Sequence, residues 1–201
     1  MSLHADVQSV LANYQHDDAQ QRELAEGYRR FVATDPGTVW RSSRVGHITA
    51  SSLVVDESDG RVLLTLHPKV GRWLQLGGHL EPEDTTLLEA ALREVREESG
   101  IQQGRIRMLP IRLDRHDVPC GRDDDGRVLA SVHWDVQFLV VVPEAVDLVI
   151  SDESDDLAWF SRADLPDVDA SVAALIRDAD GALGELGELG GSGDRDWVTF
   201  G

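Results

Sequence analysis

The sequence predicts an α+β fold preceded by an N-terminal helical arm. Three observations carry that reading. Residues 5–33 place apolar side chains at helical spacing. From Val45 to Val142, β-rich runs are separated by turn residues. One well-punctuated helix, Thr86–Ser99, interrupts those runs. A length of 201 residues suits one domain of moderate size with an appended arm and allows a real core.

In the arm, Val7, Val10, Leu11 and Tyr14 form one apolar stripe. Leu24, Ala25, Tyr28 and Phe31 form a second, with Val32 at its edge. A break is expected over Gln15–Gln20, and Asp35-Pro36-Gly37 ends the helix. A lid, a packing arm and a dimer contact all fit such an element. Ile48–Val55 reads as the first strand, Asp56–Gly60 as a turn and Arg61–Leu66 as the second strand. Trp73–Leu76 is a short strand entering a Gly77-Gly78 loop. Beyond the helix, Arg107–His116 and Ser131–Val142 are longer strands around a polar loop, Gly121–Gly126. Leu157–Phe160 is a short strand and Ser171–Leu183 a helix. Gly184–Asp194 is acidic and Gly-rich, the composition of a linker. The expected boundaries are 1–40 for the arm, 41–185 for the main domain and 186–201 for a flexible tail.

Composition narrows the function. The net charge is −18, from 37 acidic against 19 basic residues. Such a surface repels nucleic acid and anionic membranes, so neither is an expected partner. It also repels anionic substrates, so phosphate chemistry here calls for divalent cations or a local basic cluster. No apolar run approaches the roughly 20 residues of a bilayer span. The N-terminal residues lack the basic and apolar regions of a secretory signal. Cys120 is the only cysteine, which rules out an intrachain disulfide and a thiolate cluster. A reducing cytoplasm is the expected compartment.

The stretch Gly77–Ile101 carries the chemistry. Thr86 and Glu89 have capping-box spacing, and Leu88, Ala91, Leu92 and Val95 form a buried stripe. Gly100 supplies a left-handed stop. Glu89–Arg93 and Arg93–Glu97 are i,i+4 pairs. Glu94, Glu97 and Glu98 fall on one helix face. Three carboxylates so placed repel one another unless a cation sits between them, and hard oxygen ligands suit Mg²⁺ or Mn²⁺. Such an ion bridges phosphate oxygens and polarises water. The glycines let backbone approach a ligand closely. Acidic triplets on helices are also common as plain solvated faces; the glycines and Arg93 are what favour a metal.

This segment resembles the Nudix hydrolase family, whose pattern is Gly, five residues, Glu, seven residues, then Arg-Glu-apolar-x-Glu-Glu-x-Gly-apolar. Arg93-Glu94-Val95-Arg96-Glu97-Glu98-Ser99-Gly100-Ile101 matches the latter part, and Gly78 the leading glycine. Asp84 stands in place of the family Glu, with eight residues between it and Arg93, and Leu76 replaces the usual proline. The resemblance implies an α/β/α sandwich with a mixed sheet over 41–185. It implies that Glu97 and Glu98 bind Mg²⁺ with help from Glu94, with the Gly78 carbonyl as a further ligand and Arg93 orienting the glutamates. The implied reaction is attack by water on a phosphorus of a nucleoside diphosphate derivative, a small-molecule partner. Glu94 is one candidate base; Glu153, in a late acidic turn, is another. Two alternatives remain: a non-hydrolytic nucleotide sensor, disfavoured by the intact glutamates, and a diphosphate isomerase, which would have to use Cys120. A homodimer through the N-terminal helices is a reasonable expectation.

Polar rows elsewhere supply candidate substrate contacts. His133, Asp135 and Gln137 share one face of a strand, and Arg112, Asp114 and His116 make a similar row. His79 follows the glycines directly. These rows fit a cleft that reads the substrate, a second cation site, or groups that face solvent or satisfy one another. Arg72 and Lys69 before the glycines, and Arg41 and Arg44 before the first strand, are candidate phosphate contacts. Trp73 and Trp134 read as core.

Overall fold

A computed structural model of the chain describes residues 1–68, 70–122, 128–146, 148, 155–188 and 193–201. The arm forms α1 (Leu3–Asn13) and α2 (Ala19–Val32). Strands β1 (His47–Asp56), β2 (Val62–His67), β3 (Arg72–Leu74) and β4 (Leu76–His79) precede α3 (Leu87–Ser99). Then come β5 (Gly104–Arg107), β6 (Arg112–Arg122), β7 (Val128–Val142), β8 (Asp156–Phe160), α4 (Ala170–Glu188) and β9 (Trp197–Phe200).

The sheet is mixed, and its spine is the parallel pair of β1 and β7, in register from His47↔His133 to Asp56↔Val142. Each spine strand changes partner along its outer edge. β1 pairs with β4 over Thr49–Ser52 and with β2 at Val54–Val55. β7 pairs with β6 up to Gln137 and with β5 at Val140–Val141. The sheet therefore forks into two ends, β4-β1-β7-β6 and β3-β2-β1-β7-β5-β9.

Alternation along the spine sets the layers. Ile48, Ala50 and Val54, with Val136, Phe138 and Val140, face a core shared with α1, α2 and α3. Leu53, Val55, Leu139 and Val141 face Val172, Leu175 and Ala179 of α4. Helices thus cover both faces, which is the α/β/α sandwich implied by the family resemblance. Among the described residues no helix is long and apolar enough to cross a membrane.

Of the options left open for the arm, packing is the one seen. Val7, Leu11, Ala25, Tyr28 and Val32 are buried in the main core. Asp6 also accepts a hydrogen bond from the Leu87 backbone N–H (2.8 Å), so the arm helps to cap α3. Gln21 is buried at 3% exposure and clamps the backbone of Leu113 on β6. Its Oε1 accepts from Leu113 N–H and its Nε2 donates to Leu113 C=O, each at 3.0 Å.

Three features differ from the sequence reading. The expected strand Arg107–His116 is two strands, because Pro110 offers no N–H and the chain passes from one segment of the β7 edge to the next. Gly77 and Gly78 lie within β4, paired with Ser51 and Ala50, rather than in a loop. Within the expected tail, α4 extends to Glu188 and Trp197–Phe200 adds a strand beside β5. Trp197 is buried there, with the Arg105 guanidinium over its ring.

Gln21→Leu keeps the volume and removes both bonds to Leu113, leaving two buried backbone groups unpaired. Urea denaturation should show a loss of about 1–3 kcal/mol. An unchanged midpoint would mean that the clamp contributes nothing to holding α2 on the sheet.

Candidate functional site

The site begins with the contact between β4 and β1. Gly77 has φ +155°, and a Cβ there would meet the Ser51 Cα at 2.5 Å and the Ala50 carbonyl oxygen at 2.7 Å. Only a residue without a side chain lets the strands close at this point. A Cβ on Gly78 would instead meet Glu94 Oε1 at 2.6 Å, so the Gly78 backbone lies directly under that carboxylate. Gly77 N–H donates to Glu98 Oε1 at 3.0 Å. The double glycine therefore brings β4 backbone against two glutamates of α3.

The α3 helix is held in place at both ends. Thr86 is the N-cap and accepts from Glu89 N–H, while Glu89 reaches back to Thr85 rather than to the cap residue itself. Gly100 ends the helix in the left-handed region, φ 77°. Leu87, Ala91 and Val95 are buried in the core. Glu94 and Glu98 are also buried, at 7% exposure each, whereas Glu97 is exposed.

Arg93 organises this face. Its Nε and one terminal nitrogen donate to the two carboxylate oxygens of Asp84, both at 3.1 Å. The second terminal nitrogen donates to Glu94 and Glu97, both at 2.9 Å. The His79 carbonyl accepts at 2.9 Å. Burial works against the guanidinium charge, but the bonds from Asp84 and the field of Glu94 outweigh it and hold its pKa above the ordinary arginine range. Asp84 thus gains a structural role: it fastens Arg93 by a two-pronged pair and accepts from Glu81 N–H at 2.8 Å. The longer junction and shorter acid, relative to the family pattern, still deliver a carboxylate to the arginine.

The β4-β1-β7-β6 end of the sheet carries a polar row on the face that α4 partly covers. His47, Thr49 and Ser51 of β1 stand beside His133, Asp135 and Gln137 of β7. His116 and Asp114 of β6 stand opposite His133 and Asp135. Asp135 is fully enclosed; Thr49 (2.8 Å), Ser51 (2.6 Å), Gln137 (3.1 Å) and Gln75 (3.2 Å) all donate to it. Burial raises its carboxyl above the usual range, against the lowering effect of Ser51 and Thr49. Asp135, a candidate substrate contact in the sequence, lies beneath the surface here and ties the sheet side chains together. Arg112 is held by Asp178 of α4 at 2.7 Å.

Histidines from four strands meet at the rim of this row. His79 follows Gly78, and its ring centre lies 5.0 Å from that of His47 and 5.1 Å from that of His133. His116 sits 5.5 Å from His133 and bonds Asp114 at 2.7 Å. His47 escapes notice in the sequence because the β-rich run reads as starting at Ile48. Its signal was the polar alternation His47-x-Thr49-x-Ser51, which mirrors His133-x-Asp135-x-Gln137. Arg72 is exposed at the start of β3, and Arg41 and Arg44 are exposed before β1. Trp134 packs on Phe31 and Tyr28, as expected of a core residue. Lys69 and Glu153 lie outside the described residues.

Two expectations follow. Gly77→Ala should lower stability by more than about 2 kcal/mol, because the clash is with backbone at a strained φ. Gly78→Ala should stay close to the parent in urea, because the Glu94 carboxylate can move aside. Equal losses in the two variants would contradict the geometry.

The second concerns pH. The bond to Asp114 raises His116 against burial. Burial would raise Asp114, yet the bonds from His116 and Ser171 bring it below the usual range. His116 therefore adds stability below its ordinary pKa of about 6.5 and loses it as pH climbs through the raised value, while Asp114 adds stability above about 3.9 and loses it as pH falls through the lowered value. The pair contributes most between those limits. In Asp114→Asn the His116 ring, followed by NMR, should titrate at lower pH than in the parent, even with Asp135 and Asp169 still nearby. An unshifted curve would dismiss the pairing.

Comparison with known proteins gives three findings. A family model described as the NUDIX domain matches residues 46–179. The m7GpppN-mRNA hydrolase NUDT17 of Bos taurus is 41% identical over 69 residues, which take in 31% of this chain and 22% of that protein, so the chain spans under a quarter of the relative's length. Among solved structures, a hydrolase of the NUDIX family from Clostridium perfringens is similar at a TM-score of 0.50 and 21% identity, covering 69% of this chain and 97% of that one. The NUDIX domain of Shewanella oneidensis NrtR, complexed with ADP ribose, gives 0.49 at 21% identity, covering 77% and 97%. The matched span runs from just before β1 to the middle of α4, and on it the chain belongs to the Nudix family of hydrolases.

Proposed function

We propose that this chain hydrolyses a phosphoanhydride linkage in a nucleoside diphosphate derivative, with water attacking phosphorus. The observation that carries the reading is the contact of β4 backbone with the carboxylates of α3. The Gly78 backbone lies directly beneath the Glu94 carboxylate, Gly77 N–H holds Glu98, and Arg93 fixes Glu94 and Glu97. The bovine relative is named for hydrolysis of an m7GpppN cap, which is joined by phosphoanhydrides, and this supports the same bond class here.

The donor set fits a hard divalent cation. Three carboxylates and a close backbone carbonyl offer oxygen ligands, the preference of Mg²⁺ and, next to it, Mn²⁺. Glu94, Glu97, Glu98 and the Gly78 carbonyl would hold it. When bound, such an ion neutralises phosphate charge and polarises the attacking water.

The chain's own residues do the rest. Arg93 keeps the glutamates oriented and offsets their mutual repulsion. Glu97 is exposed and stands nearest to solvent, where an incoming diphosphate arrives. His79, His116 and His133 rim the adjacent cleft and are the proposed substrate contacts, with Arg72 as a further cationic one. The bond to Asp114 raises His116, which suits it to meet a phosphate. Glu94 and Glu153 are retained as candidate bases.

The test is turnover of a panel of nucleoside diphosphate derivatives in Mg²⁺, read by phosphatase-coupled phosphate release. Glu97→Gln and Glu98→Gln should each lose roughly 100-fold or more in rate while keeping the parent circular dichroism. Near-parental rates in both variants would remove the glutamates from the reaction.

A further inference from the structure

We propose that His47, His79 and His133 form a binding site for one borderline transition-metal ion of the Zn²⁺ class, separate from the oxygen ligands of α3.

The geometry is that of a facial triad of imidazoles. The three residues come from β1, β4 and β7, and register brings them together: His47 is the partner of His133, and Thr49, two residues further along β1 on the same face, is the partner of His79. Their ring centres form a nearly equilateral triangle with sides of 4.8, 5.0 and 5.1 Å. A tetrahedral ion with nitrogens at about 2.0–2.1 Å places three imidazole centres roughly 5 Å apart. One nitrogen from each ring already lies within 4.8 Å of the others. Bonding the same ion needs those nitrogens roughly 3.4 Å apart, a gap that modest rotation about the broad χ2 of histidine closes.

The chemistry agrees with the geometry. Among the described residues, His133 Nε2 is buried and has no hydrogen-bond partner. A buried lone pair or N–H left unmatched is costly, and ligation would resolve it. Imidazole ligates through a ring nitrogen that carries no proton, and the unbonded His133 Nε2 offers one. Three neutral nitrogens suit zinc, cobalt or nickel and do not suit Mg²⁺. Three protein ligands leave a fourth position for water or for an oxygen of substrate. His116 stands behind His133 with its other side on Asp114, which orients it as a fringe group rather than a ligand. The site also shares β4 with the glutamate face, since the backbone of His79 itself accepts from Arg93.

The experiment uses the full chain purified without a histidine tag and stripped with chelator. Zn²⁺ is titrated against a chromophoric competitor in excess Mg²⁺, and Co²⁺ loading is followed in the visible. The expected result is one equivalent of Zn²⁺ that Mg²⁺ does not displace, and the intense bands of four-coordinate Co²⁺. Both should vanish in His47→Asn and in His133→Asn and persist in Glu97→Gln, which separates this site from the one on α3. X-ray absorption of the zinc-loaded parent reads the ligands without any substitution, and imidazole scattering is expected. Absence of stoichiometric zinc, oxygen-only scattering, or zinc retained in both histidine variants would overturn the proposal.

Discussion

The five N–H donors of Arg93 are the constraint on which the rest of the site depends. They reach Asp84, Glu94, Glu97 and the His79 carbonyl, and so join a loop, a helix and a strand. Three glutamates on one helix face would otherwise repel one another and turn outward. A lysine could not replace the arginine, because a point charge cannot present a planar fork to one carboxylate and further donors to two more. Asp84 is the anchor that makes this work: it is buried, and its two oxygens take one edge of the guanidinium.

The second constraint is the forked sheet. A parallel spine that changes partner halfway gives two ends with different tasks. At one end Leu53, Val55, Leu139 and Val141 are sealed under α4. At the other, the same face of the same strands carries His47, Thr49, Ser51, His133 and Asp135. Because side chains alternate with period two, that polar row leaves the opposite face free for Ile48, Ala50, Val136 and Phe138 and for the helices that pack there. The cleft therefore costs the core little. Asp135 shows how the row is made tolerable: four side-chain donors surround its carboxylate.

For the proposed diphosphate chemistry, a net charge of −18 is a field of the wrong sign. The structure meets this locally. Arg93 neutralises part of the glutamate face, His116 is held toward its charged form, and Arg41, Arg44 and Arg72 stand exposed nearby in sequence. Under the proposed function, cations drawn to the acidic site would serve both attraction and chemistry.

What the sequence by itself determined is local. The caps, buried stripe and left-handed stop of α3 all lie within a few residues of one another, so Thr86, Val95 and Gly100 announce the helix and put Glu94, Glu97 and Glu98 on one face. The strands of the spine were legible from their composition, and the resemblance to the Nudix pattern named the layers. Tertiary structure alone decided what depends on register and on distant partners. Thr49 and Ser51 meet Asp135 across separations of 86 and 84 residues, which makes its carboxylate a tie between strands. The split at Pro110 follows from the two segments of the β7 edge that β6 and β5 occupy, and β9 from the edge of β5 left open beyond it. His47 joined His79 and His133 only because β1 lies parallel to β7 and antiparallel to β4. A one-residue slip of β1 would send His47 to the opposite face, and which strands lie beside β1 is decided by residues far away in the chain.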